Sequence, residues 1–89
     1  MIYPFMVIKN DIEVTHTEMK DDNTVKVYFE QPVYLGFHSI ECILPTYEWT
    51  ENNGFSESEL KYLDDYIHSV AHIIIELSKE GGFDNASGF

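Results

Sequence analysis

Apolar residues fall at Leu60, Leu63, Ile67, Val70, Ile74 and Leu77, in alternating steps of three and four. That spacing stacks them along one side of an α-helix and predicts a long helix over 56–80. Two signals mark its start. Ser56 and Glu59 form a capping box, in which each side chain accepts from the other's backbone N–H, and Phe55 is placed to clamp Leu60 as a hydrophobic staple. Gly81 stands where a left-handed residue ends a helix, and Phe83 can fold back over the last turn. Tyr62, Tyr66 and Ile73 widen the stripe on one flank. A helix apolar along one side needs one apolar surface to lie on, and the chain before it reads as strands.

Residues 2–8 carry apolar side chains on both faces: Tyr3, Phe5 and Val7 on one, Ile2, Met6 and Ile8 on the other. Something is expected to cover each side, while Pro4 places the strand at an edge. Lys9-Asn10-Asp11 reads as a tight hairpin turn into a second strand over 12–20. Asp21-Asp22-Asn23 turns into a third, where Val25, Val27 and Phe29 alternate with polar residues, as in a half-buried strand. Gln31-Pro32 is expected to break it. A fourth strand over 37–44 buries Ile40, Cys42 and Leu44, and Pro45 ends it, with Tyr47 and Trp49 in irregular chain. The expected fold is α+β: a four-stranded antiparallel meander within residues 1–50, one helix over 56–80 packed on it, and a flexible tail over 81–89. Eighty-nine residues hold one domain of this kind.

Composition narrows the function. Sixteen acids stand against five lysines and no arginine, a net charge of −11. Direct nucleic-acid binding needs a basic stripe, and none is present. No apolar run reaches a bilayer-spanning length and no signal-peptide pattern opens the chain, so a cytoplasmic protein without membrane contact is expected. The single cysteine, Cys42, fits a reducing compartment.

No phosphate-cradling glycine loop, dinucleotide fingerprint or nucleophile elbow occurs, and no cofactor or enzymatic activity is expected. Residues 41–65 hold seven acids (Glu41, Glu48, Glu51, Glu57, Glu59, Asp64 and Asp65) against Lys61, a local charge of −6. Tyr47, Trp49 and Phe55 are interleaved with them. Aromatic anchors rimmed by one sign of charge suit a surface for a basic protein, with Glu48, Trp49, Glu51 and Phe55 as its residues. The same aromatics read equally as caps on the core. His68 and His72, one helical turn apart and near Asp65, form the one metal-like spacing; an exposed polar helix face is the competing reading. Ile73-Ile74-Ile75 makes the helix end apolar nearly all round. Either the tail, through Phe83, or a second copy in a homodimer should then cover Ile75. A nucleic-acid mimic directed at a basic nuclease or repressor is a further alternative to a regulatory or antitoxin-like module.

The segments YPFM, VKVYFE, LPTYEW, GFS and AHIIIELSKEGG together span most of the chain. Their pattern resembles small proteins of low-GC Gram-positive bacteria that carry no assigned activity. That resemblance implies a small bacterial domain and transfers no catalytic residue.

Overall fold

A computed structural model of the chain describes residues 1–80. Five strands precede the helix: β1 (Ile2–Ile8), β2 (Ile12–Thr17), β3 (Val25–Val33), β4 (Gly36–Leu44) and β5 (Glu48–Asn53), followed by α1 (Glu57–Glu80). They form one antiparallel sheet in chain order, β1-β2-β3-β4-β5. The α+β meander with a C-terminal helix stands, with a fifth strand where irregular chain was expected. Residues 81–89, and with them the expected tail, the Gly81 cap and Phe83, lie outside the described residues.

β5 escapes the alternation rule because it is a polar edge strand in which Trp49 alone is a large apolar residue. Its pairing with β4 carries a bulge between Thr50 and Asn53, with Glu51 at φ 59°. A second bulge explains the two apolar faces of β1. Phe5 is the extra residue between the pairs Pro4↔Thr15 and Met6↔Val14. Below the bulge Tyr3 sits opposite His16 on the helix side, and above it Met6 and Ile8 sit opposite Val14 and Ile12 on that same side. The strand therefore changes phase, and no second layer is needed to cover it.

β2 is shorter than its pattern suggests. Beyond His16↔Val27 the Lys26 N–H donates to the Thr17 hydroxyl (3.1 Å), which takes over from the ladder carbonyl. β3 instead runs through Pro32, which its composition seemed to forbid. By that point β2 has ended, so the proline's missing donor costs no ladder bond on that side.

The core lies between one face of the sheet and α1. Ile12, Val14, Val25, Val27, Phe29, Ile40, Cys42 and Leu44 meet Leu63, Ile67, Ala71, Ile74 and Leu77. Phe29 is central, with Trp49 at 5.6 Å and Tyr66 at 6.3 Å between ring centroids. The helix start forms as its sequence dictates: Ser56 N–H donates to Glu59 Oε1 (2.9 Å) and Glu59 N–H to Ser56 Oγ (3.3 Å). The Ser56 N–H, and then the Ser56 side chain, hold the Glu59 carboxyl below its ordinary value. Asn52 clamps the approach, its amide accepting from Phe55 N–H and donating to Phe55 C=O (both 3.2 Å). Gly54, at φ +102°, is needed there because a Cβ would strike the His38 ring. No element packs on the other face of the sheet among the described residues.

Candidate interaction surface

The acidic–aromatic segment expected to bind a partner is split by the fold. The register Cys42↔Trp49 turns Trp49 toward the helix, where its indole N–H donates to Asp64 Oδ1 (3.1 Å) and its ring packs on Phe29. Phe55, 5% exposed, belongs to the core, against the edge of the His38 ring. Both aromatics are thus held by their own domain, and Phe55 cannot serve as a surface contact in this fold. Glu48 and Glu51 remain exposed.

The histidine face is similarly reorganised. His68 stacks flat on Tyr47 (3.8 Å, 8°), and its Nδ1–H donates to the Asp64 carbonyl (2.8 Å). Asp65 reaches back to Lys61 (3.9 Å) and His72 is exposed. Among the described residues no three His, Cys, Asp or Glu side chains gather as a metal would require. At the helix end Ile74 is buried, Ile75 is half-buried against the core, and Ile73 is the exposed member of the trio. Ile75 thus packs in part on the core, and Phe83, expected to cover it, lies outside the described residues.

Two buried groups have nucleophile-like neighbours. The Cys42 thiol is pushed up to about 12, chiefly by burial and then by the Asp64 charge, and stays protonated. Ser78 Oγ lies 3.0 Å from His16 Nδ1. Yet His16 Nδ1 is 2.8 Å from the Thr17 carbonyl, which can only accept, so Nδ1 carries the proton. Ser78 spends its own proton on the Ile74 and Thr17 carbonyls (2.7 and 3.0 Å). With Nδ1 protonated, the hydroxyl has no base there.

The uncovered face of the sheet is where charge gathers. Alternation puts Glu13, Lys26, Tyr28, Glu30, Glu41, Ile43, Glu48 and Thr50 on it. Glu13 and Glu30 stand directly opposite each other on β2 and β3. Lys26 approaches Glu41 (3.9 Å), which also accepts from the Thr50 hydroxyl (3.3 Å). Among the described residues no cation pairs with Glu13, Glu30, Glu48 or Glu51. A shallow depression lined by Lys26, Tyr28, Glu30, Glu41, Glu51 and Asn53 lies across it. Like charges directly opposite across a sheet cost roughly 0.2–1 kcal/mol. Nothing in the packing returns that cost.

At one end of this face β3 and β4 run on alone. β2 pairs with β3 only as far as Glu30, and β5 with β4 only as far as Ser39. Residues 31–38 therefore form a two-stranded ribbon joined by Gln31↔His38, Pro32↔Phe37 and Val33↔Gly36. Its base is fixed by Gln31, whose amide donates to the Asn10 carbonyl (3.1 Å) and accepts from His38 Nδ1 (3.3 Å). Its tip exposes Tyr34 (92%), Leu35 (88%) and Phe37 (61%). Sequence reading missed the ribbon because Gln-Pro looked like a strand break, and it missed the acidic face because strand register cannot be read from one chain. Its visible signal was an apolar, charge-free Pro-Val-Tyr-Leu-Gly-Phe run in a chain 24% charged. Comparison with protein families, curated proteins and solved structures finds no match to this chain.

Proposed function

We propose that this chain is a non-enzymatic, acidic protein-binding module of a reducing cytosol, which captures a basic protein across the uncovered face of its sheet, as a regulator or antitoxin-like neutraliser would. The observation that carries this reading is the facing pair Glu13↔Glu30, set among Glu41, Glu48 and Glu51 with Lys26 as the cation. Aligned carboxylates on an open face concentrate negative potential, speed the arrival of a basic partner and reject acidic ones. The excess of sixteen acids over five lysines extends that field over the molecule.

The test is affinity capture from the source cells' extract with three baits: wild type, Glu13→Lys/Glu30→Lys, and Asp65→Lys/Glu76→Lys on the helix. Both double variants change the net charge equally. A basic protein held by wild type and by the helix variant, lost from the sheet variant and washed off by salt, is the expected result. Equal retention by both variants would reduce the charge to a solubility device.

A further inference from the structure

We propose that the free end of the β3–β4 ribbon is an anchoring arm: Tyr34, Leu35 and Phe37 pack against large apolar side chains of a basic polypeptide whose lysines or arginines lie over the neighbouring acidic face. This rests on the reading of the open face given above and adds the apolar half of the contact. Three observations carry it. The ribbon extends past both flanking strands, so its tip can enter a partner without the rest of the sheet colliding. Phe37 and Pro32 lie on the same side of the ribbon as Glu30, Ser39 and Glu41, which makes the apolar end and the carboxylate rows one continuous surface. Leu35 holds φ 64°, a conformation that glycine or asparagine adopts without strain. A large apolar side chain kept there, almost wholly exposed, has no folding rationale.

Size and charge select the occupant. Side chains of this kind offer on the order of 500 Å² at the tip, against about 800 Å² per partner in a stable interface. The arm alone is too small to hold a complex, and the contact must continue onto the acidic face. A second copy cannot supply the basic half, since its five lysines are outnumbered by sixteen acids and two copies repel. A bilayer fits poorly as well: residues 31–37 contain no lysine or arginine, and anionic headgroups oppose a net charge of −11. A basic polypeptide with apolar side chains meets both halves.

The experiment selects ligands for the intact chain from a phage library of random linear peptides, then measures the enriched peptides by fluorescence anisotropy across salt. Three proteins are compared: wild type, Tyr34→Ser/Leu35→Asn, and Glu13→Lys/Glu30→Lys. The arm variant leaves charge unchanged and places asparagine where positive φ suits it, so its thermal melt should match or exceed wild type. Enriched peptides should combine Lys or Arg with Leu, Phe or Trp. The arm variant should bind them about ten-fold more weakly at the same salt slope, while the sheet variant should lose affinity and slope together. Full binding by the arm variant with loss in the sheet variant overturns the arm and leaves the open-face reading intact. Enrichment indifferent to basic residues, or full binding by the sheet variant, overturns the open-face reading itself. Arm-dependent binding to phosphatidylcholine vesicles, or an arm-dependent dimer in sedimentation, replaces the polypeptide by a lipid surface or a second copy and overturns the proposal.

Discussion

His16 is wholly buried between Tyr3 (5.7 Å) and Phe5 (6.5 Å), and its Nε2 has no hydrogen-bond partner among the described residues. Charging it would place an imidazolium inside the core, and burial lowers its pKa from 6.5, with the Thr17 carbonyl opposing that shift only in part. The sign follows. The unfolded chain binds this proton more readily than the folded one, so the associated stability is complete above about pH 6.5 and drains away as pH falls below it. Denaturant unfolding at stepped pH should show wild type losing stability as pH falls below about 6.5, relative to His16→Leu, whose curve should be flatter there. Parallel curves would mean that His16 is already charged or shielded. Leu35 is the second residue at odds with its setting. Leu35→Gly relieves a left-handed backbone that costs a branched side chain roughly 1 kcal/mol, so the melting temperature should rise or hold while ligand affinity falls. A lowered melting temperature would show that the Leu35 side chain contributes to the fold.

At the scale of elements, legibility follows how many constraints act on a segment at once. The helix carried periodicity, a capping box and a staple, all pointing one way, and it forms over Glu57–Glu80 as its pattern dictates. β3 and β4 were legible because each buries one face. β1 was legible as a strand over 2–8 but not in its facing, and β5 was not legible at all, because bulges at Phe5 and Glu51 break the two-residue period on which strand reading depends. β5 matters most for the site, since finding it turns Trp49 from a candidate partner anchor into a strut between sheet and helix. Trp49→Ala should therefore destabilise the domain by about 3 kcal/mol, and Trp49→Phe, which keeps a ring on Phe29 and loses the Asp64 bond, by about 1 kcal/mol. Urea unfolding checks both. A Trp49→Ala variant as stable as wild type would return the indole to the surface.

For the molecule as a whole, the helix covers one face of the sheet and leaves the other bare. Charge is distributed by this division: the covered face holds the apolar core, and the bare face collects Glu13, Glu30, Glu41 and Glu48, with the ribbon tip at one end. Composition announced an acidic protein, but only the strand register reveals which acids stand together. Among the described residues no helix is long and apolar enough to cross a membrane. The bare face and the tip together set a facing carboxylate pair beside Tyr34 and Leu35, the two most exposed large apolar residues among those described. The most direct measurement is amide hydrogen exchange on the chain, free and saturated with the basic protein it captures. Protection is expected at 31–38 and along β3 and β4, with the exposed side of α1 between Lys61 and Glu76 unchanged. Protection confined to α1 would contradict the assignment of the binding surface and move it to the helix.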